Sequence, residues 1–318
     1  MPSNPEERVA LPGRIAALAE QYAESWSQML GAETLWSDVN AGVAVALVAL
    51  PLSIAIAIAS GVHPGAGLTS AILAGAIAAL MGGSRVAVTG PAAAVSVVAL
   101  GVVQTYGLEG LLACGLFTGA VQCMVGLLRW GRWISIVPLP VIVGFTSGIG
   151  VLIVDGQLPM ALGAVVKRGH EGMYVPFTWL SSHWGSFQAG AATITFVTLA
   201  TLILARRFNP RLPGHLLGAI AGTFAAETLF PACSRVGDLP RSLAYHGMPH
   251  LGLSQLGGLV VPACTIAFLA SLESLLSALV ADSMTRDRHD PDLELIGQGL
   301  ANIIAPLFGG IVSTGVIA

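Results

Sequence analysis

One carboxylate in this sequence sits where a charge is hardest to keep. Glu273 lies inside the run Ala267-Phe268-Leu269-Ala270-Ser271-Leu272-Glu273-Ser274-Leu275-Leu276-Ser277, with no basic residue within helical reach. If that run crosses a bilayer, a charge at its centre costs about 2.5–3.5 kcal/mol on insertion scales. Such a group must face a bundle interior, where it can exchange a proton or meet a cation. Ser277 is four residues on and shares its helical face, which places a second oxygen beside the carboxyl. A coupling-ion or substrate-gating role follows; a neutral Glu273 that bonds a neighbouring helix is the structural alternative.

Two stretches offer a second kind of chemistry. One reads Gly82-Gly83-Ser84-Arg85-Val86-Ala87-Val88-Thr89-Gly90-Pro91-Ala92-Ala93-Ala94, the other Phe308-Gly309-Gly310-Ile311-Val312-Ser313-Thr314-Gly315-Val316-Ile317-Ala318. Each has a Gly-Gly pair, a short β-branched run, Thr-Gly and then small residues. Alternation at Val86, Val88 and Thr89 predicts extended chain, and Pro91 suits the first turn of a helix. Each stretch therefore predicts a short strand that becomes helical only near the bilayer midplane, broken at Thr89, Gly90 and Pro91 and again at Gly309 and Gly310. A helix that starts there leaves its first N–H groups unpaired and carries about half a positive charge at that end. Small residues such as Ala92, Ala93 and Ala94 let an anion approach those donors. A glycine-rich loop between two helices is the bland alternative. The second copy weighs against it: counted by spans, it follows seven segments later in the opposite membrane orientation, as in inverted-repeat transporters.

Other polar residues carry weaker signals. Ser53 follows Pro51 in the first segment and can line the same cavity or pack between helices. Glu109, Asp155, Glu227 and Asp282 fall near segment ends and read as interfacial. His170, His183, His246 and His250 lie in connecting loops without ligand spacing. Cys114, Cys123, Cys233 and Cys264 form no CxxC or zinc-like pattern and read as free thiols. No Walker A sequence and no G-x-S-x-G motif is present, which argues against ATP-driven transport and against hydrolase chemistry; no enzyme is expected.

The elements that must position these groups are membrane spans. The 318 residues are 54% hydrophobic and only 10% charged, with a mean hydropathy of +0.79, whereas soluble domains carry about 25% charged residues. The net charge of −3 gives no footprint for nucleic acid. Spans of about 20 apolar residues are predicted at 39–59, 66–81, 86–106, 110–128, 133–154, 188–205, 213–231, 257–281 and 292–308, with a tenth opening at 309.

Basic residues set the orientation. With the N-terminus inside, the inner loops hold Arg8, Arg14, Arg85, Arg129, Arg132, Arg206, Arg207, Arg211, Arg286 and Arg288. The outer loops hold only Lys167, Arg168, Arg235 and Arg241. That bias predicts a cytoplasmic N-terminus in a cell (inner) membrane. Residues 1–36 lack the pattern of a cleaved leader. Ile15, Leu18, Tyr22 and Trp26 recur there at helical spacing, which predicts a cytoplasmic amphipathic segment at the membrane surface.

Several motifs resemble one family. Asp38-Val39-Asn40-Ala41-Gly42 leading to Ala49-Leu50-Pro51-Leu52-Ser53, followed by Gly82-Gly83-Ser84-Arg85 and Thr89-Gly90-Pro91, resembles the SulP family of sulfate-permease-like anion transporters. Leu272-Glu273-Ser274-Leu275-Leu276, Val280-Ala281-Asp282, Glu294-Leu295-Ile296-Gly297-Gln298-Gly299 and Phe308-Gly309-Gly310 through Thr314-Gly315 are similar to its second-repeat motifs. The resemblance runs from about residue 37 to the last residue.

It implies an all-α polytopic membrane protein with the seven-plus-seven inverted-repeat, uracil-permease-like fold, and short strands before the third and tenth helices. Residues 37–231 would be the first repeat with helices one to seven, 232–256 an extracytoplasmic connection, and 257–318 helices eight and nine with the opening of ten. Anions in the family bind between the third and tenth helix N-termini, here Ala92, Ala93 and Ala94 facing Thr314, Gly315 and Val316, with Ser53 nearby. Glu273 matches the family's proton- or sodium-linked acid, and Ser277 the hydroxyl four residues on. Family members usually continue through four more helices and a STAS domain, so this chain is expected to stop within the second repeat. Leu52 replaces the glutamine of many sulfate-type relatives.

The expected function is secondary active transport of small inorganic anions, sulfate or bicarbonate foremost, coupled to protons or sodium through elevator-type alternating access. The rivals are a non-transporting, anion-responsive membrane protein and an inactive truncated fragment. No cofactor is implied beyond H+ or Na+ as the coupling ion. The expected partners are the anion and the lipid bilayer, with no nucleic acid; a homodimer is a compatible assembly.

Overall fold

Apolar runs long enough to cross a bilayer must satisfy their own backbone groups, and the helix is the local way to do so. The computed structural model describes Trp26 and residues 32–316, apart from 135–138, 164–187, 210–211, 234, 236, 238, 241, 251 and 286–287. Its elements are α1 (Ala32–Ala59), α2 (Pro64–Met81), β1 (Val88–Pro91), α3 (Ala93–Leu127), α4 (Gly131–Ile134), α5 (Leu139–Ala161), α6 (Ala189–Phe208), α7 (Gly214–Leu229), α8 (Leu253–Thr285), α9 (Pro291–Leu307) and β2 (Ser313–Val316). Among the described residues, five helices are long and apolar enough to cross a membrane: Leu35–Ala59, Pro64–Met81, Ala93–Leu127, Ala189–Phe208 and Gln255–Thr285. The protein is mostly helical.

The chain divides into two units, residues 1–46 and 47–318. The first is described only at Trp26, which is exposed, and along the opening of α1, where Leu35, Trp36, Val39 and Val43 are exposed. The predicted amphipathic positions Ile15, Leu18 and Tyr22 lie outside the described residues. So do Lys167, Arg168, His170, His183, Arg211, Arg241, Arg286, Ile317 and Ala318.

Helix boundaries in the second unit follow local chemistry. At the start of α2, Pro64 occupies the first turn, and His63 Nδ1 accepts the Gly65 N–H at 3.1 Å. At the start of α9, the Asp290 carboxylate accepts the Asp292 and Leu293 N–H groups at 2.9 and 3.1 Å. Pro291 and the acidic Asp292 and Glu294 fill its first turn. The 35 residues of α3 would reach about 52 Å as a straight rod, well beyond a hydrocarbon core of about 30 Å. Gly107, with φ 71° and ψ −169°, interrupts it. The third and fourth predicted spans are thus two helical stretches joined at that glycine.

Packing relies on small residues, as in lipid-embedded bundles generally. Gly115, Gly119 and Gly126 of α3 run antiparallel to α9, abutting Pro306, Gly299 and Asp292 in turn. A Cβ on Gly119 would stand 2.5 Å from the Gly299 carbonyl oxygen and 2.7 Å from the Ile303 nitrogen. The apolar core joins Ala57 of α1, Val95, Ala99 and Val102 of α3, and Ile266 and Ala270 of α8 to Ile311 and Val312. On α7, Gly214, Gly218 and Gly222 face Leu202 and Thr198 of α6.

The two strands form one antiparallel pair, with Val88 opposite Val316, Thr89 opposite Gly315, Gly90 opposite Thr314 and Pro91 opposite Ser313. Their edges are protected by protein: Ser313 and Thr314 are fully buried, as non-helical backbone within a bilayer requires.

Candidate functional site

The site is built where β1 turns into α3. Ala92 is extended (φ −86°, ψ 116°) and serves as the N-cap without any side-chain hydrogen bond to the helix. Its own N–H donates to the Val312 carbonyl at 3.3 Å. The following N–H groups, from Ala93 onward, head the helix with no side-chain acceptor supplied by its N-cap residue, where the helix dipole favours an anion. Ala92 and Ala94 are buried and Ala93 is half-buried. Ser53 of α1 is buried beside this break, its Oγ 3.9 Å from where a Cβ on Gly90 would stand. The Ser53 hydroxyl donates to the Ala49 carbonyl of its own helix at 2.7 Å.

Thr314, Gly315 and Val316 take a different form from the one expected of them. They lie in β2 rather than at a helix N-terminus, and the residues that would head a following helix are outside the described region. The Gly315 N–H already donates to Ser274 Oγ of α8 at 3.0 Å. Thr314 contributes a hydroxyl instead of a backbone donor, and its fully buried Oγ1 has no hydrogen-bond partner among the described residues.

Glu273 is the group beside it. Its carboxyl approaches the Thr314 hydroxyl, while Glu273 Oε2 is buried without a hydrogen-bond partner among the described residues. The ion pairs Arg235–Glu227 and His289–Asp282 lie elsewhere and leave Glu273 aside. Ser277 is half-buried one turn further along α8. A buried carboxyl and a buried hydroxyl brought together with hydrogen-bonding capacity to spare can share a proton or, with nearby carbonyls, hold a small cation. No cluster of three His, Cys, Asp or Glu suited to a transition metal occurs among the described residues.

Gly309 and Gly310 form the turn that feeds β2. Gly309 has φ 75°, and a Cβ there would stand 3.0 Å from the His246 ring. His246 and Gly247 donate their N–H groups to the Leu307 carbonyl at 2.7 and 3.1 Å. Tyr245 meets Phe308 edge to face at 5.5 Å. The loop histidines 246 and 250 are exposed, as their loop position predicted.

Sequence reasoning missed the polar face of α9. Glu294, Gln298 and Asn302, four residues apart, are 2%, 0% and 0% exposed. Glu294 Oε2 accepts the Gly83 and Ser84 N–H groups, each at 3.0 Å, and its Oε1 accepts from Gln298 Nε2 at 3.0 Å. Gln298 Nε2 also donates to Thr89 Oγ1 at 2.7 Å. Asn302 donates to the Ser313 carbonyl at 2.9 Å and accepts the Ser313 N–H at 2.8 Å. It also donates to Gln122 Oε1 of α3 at 2.9 Å. Each step of this ladder therefore grips one interrupted segment. The spacing i, i+4, i+8 of polar residues within an apolar run was the available signal. Asp282 also departs from a merely solvated end: its Oδ2 lies 2.7 Å from His289 Nδ1, and that ring is nearly buried.

The model of the sulfate permease family matches residues 35–318. YvdB of Bacillus subtilis, which bears the name of a sulfate transporter, is 40% identical over 286 residues, covering 88% of this chain and 54% of that protein. The bicarbonate transporter BicA of Picosynechococcus is 30% identical, covering 87% of this chain and 51% of that protein. The chain thus spans about half the length of these curated relatives. The solved transmembrane domain of a cyanobacterial BicA superposes with a TM-score of 0.81 at 30% identity, covering 91% of this chain and 76% of that one. Murine Slc26a9, an anion transporter solved in its inward-facing state, has the same fold at 16% identity, with a TM-score of 0.85 over 99% of this chain and 57% of that one.

Proposed function

The chain belongs to the sulfate permease family, and from that premise we propose that it acts in secondary transport of small inorganic anions, sulfate or bicarbonate. As a family member with membrane-spanning helices it is a multi-pass membrane protein, and the family is one of transporters rather than enzymes. One observation carries the substrate class: the α3 N-terminus is buried, lined by alanines and uncapped by any side chain of its N-cap residue, so its donors are free to serve a guest. An anion bound there needs no lysine or arginine, because backbone dipoles replace its water.

The antiparallel pairing of β1 with β2 supports two oppositely running, interrupted segments, hence an inverted repeat with 37–231 as its first half and 257–318 as the beginning of its second. Residues 1–36 are the cytoplasmic amphipathic segment of an inner-membrane protein, and 232–256 its extracytoplasmic connection. Glu273, with Thr314 beside it and Ser277 one turn away, takes the coupling ion, a proton or sodium. Movement of the anion follows an elevator-like displacement of the segments that hold it.

Uptake of labelled sulfate and bicarbonate by the full-length protein in proteoliposomes, under imposed proton and sodium gradients, tests the proposal. Gradient-dependent accumulation of either anion is expected. Absence of flux for both, under both gradients, refutes it.

A further inference from the structure

We propose that Gln298 is the positioning residue of the anion site: one side-chain nitrogen ties the first interrupted segment to α9 and so fixes where α3 begins. This rests on the transporter reading above, and it concerns a residue that neither touches the anion in that reading nor lies on either interrupted segment.

The geometry concentrates on a single amide. Both hydrogens of Gln298 Nε2 are committed, one to Thr89 Oγ1 at 2.7 Å and one to Glu294 Oε1 at 3.0 Å. Glu294 in turn holds the Gly83 and Ser84 N–H groups. The turn leading into β1 and β1 itself are thereby referenced to the same helix. The second segment converges on the same point. Gly315 pairs with Thr89 across the sheet, and a Cβ on Gly315 would stand 3.3 Å from Gln298 Nε2 and 3.2 Å from Glu294 Oε1.

The other half of the amide shows that packing is not its purpose. Gln298 is fully buried, yet its Oε1 has no hydrogen-bond partner among the described residues. A buried unmet acceptor is unfavourable, and a leucine of similar size would avoid it. What leucine would lose is the pair of directed bonds from Nε2. Thr89 stands three residues before Ala92, so an error in its position passes along extended chain directly to the first donors of α3. Displacements of well under an ångström matter to groups that must converge on one small ion.

The test uses the full-length protein with inorganic sulfate and bicarbonate as probes, comparing Gln298→Leu, Thr89→Val, Thr89→Ser and the Gln298→Leu/Thr89→Val double variant. Three quantities are read: KM and maximal rate of uptake, Kd by thermal shift, and the midpoint of unfolding without anion. Loss of the shared bond is expected to raise KM and Kd about tenfold in Gln298→Leu and Thr89→Val, while the maximal rate stays within about twofold. The double variant should be no weaker than Gln298→Leu, because the Thr89 change removes only a bond that Gln298→Leu has already broken. Thr89→Ser, which keeps the oxygen, should recover most of the loss seen in Thr89→Val.

Additive losses in the double variant overturn the inference. So does a lowered unfolding midpoint with KM and Kd unmoved, which would make Gln298 a purely structural residue. Should Gln298→Leu fail to reach the membrane, the Thr89→Val and Thr89→Ser pair decides alone, and equal losses in those two overturn it. If the unaltered protein transports anions and no variant shifts KM, only this inference falls. If the unaltered protein neither binds nor moves sulfate or bicarbonate, the transporter reading falls and takes this one with it.

Discussion

Replacing Glu294 by alanine removes the acceptor of three hydrogen bonds at once: Gly83 N–H, Ser84 N–H and Gln298 Nε2. Their environments differ. Gln298 is fully buried, whereas Gly83 and Ser84 are half-buried and within reach of water. A buried orphaned donor costs about 1–3 kcal/mol, and an exposed one much less. The sum for Glu294→Ala is therefore about 2–4 kcal/mol, a fall in unfolding midpoint of roughly 3–6 °C for a chain of this size. Glu294→Gln should behave quite differently. Its amide oxygen can keep the two backbone donors while its NH2 group faces Gln298. The Gln298 amide can then turn over to present Oε1, which has no partner now, and the Thr89 hydroxyl can rotate to donate to the same oxygen. The turned amide carries its NH2 into the place of the unpartnered Oε1, where a buried donor is left without an acceptor, so the loss is about 1–3 kcal/mol and stays below alanine's by what the two retained backbone donors contribute. Thermal unfolding of the purified full-length protein in one detergent, without anion, measures both. Equal damage from glutamine and alanine would show that the negative charge, and not the count of satisfied donors, is what the site requires, and the reasoning would fail.

Glu273→Gln is expected to abolish gradient-driven accumulation while anion binding by thermal shift stays within about twofold, because amide-bearing glutamine cannot release a proton or offer a full charge to sodium; accumulation unchanged from the unaltered protein would remove Glu273 from coupling. Gly119→Ala should cost about 1–3 kcal/mol of stability, since the added methyl meets α9 backbone at 2.5–2.7 Å and helices cannot part without losing their contact; an unchanged unfolding midpoint would refute that packing. Gly309→Ala should cost about 1–2 kcal/mol for the left-handed backbone, beyond the clash with His246. His246→Ala in the same chain should recover only the steric part, and complete recovery would show that the backbone conformation carries no penalty.

The break at Thr89-Gly90-Pro91 was legible because it is local. β-branched residues favour extended chain, proline tolerates only a helix's first turn, and the alanines after it favour helix. The family resemblance placed a helix start at Thr314-Gly315-Val316, whereas the chain there is still in the strand that the local pattern predicted. There the motif lacks the proline that marks the turn into helix, so nothing local fixed the last extended residue. Glu273 stood out for a cost any membrane would impose. That Thr314 would be its neighbour was not legible, because the two come together only through packing of α8 against β2.

Membrane class, the run of spans and the presence of two glycine-led interruptions were set by composition and short-range pattern alone, since hydropathy and backbone preference act over a few residues at a time. Which buried polar groups answer one another was settled by the fold. Thr89 and Gln298 are 209 positions apart, Gly83 and Glu294 211. A glutamine in an apolar run carries no mark of its partner, and hydrogen bonding demands direction as well as nearness. Only the docking of α9 across α2, β1 and α3 brings donor and acceptor to 3 Å with the right orientation, and that docking depends on the glycine contacts along both helices.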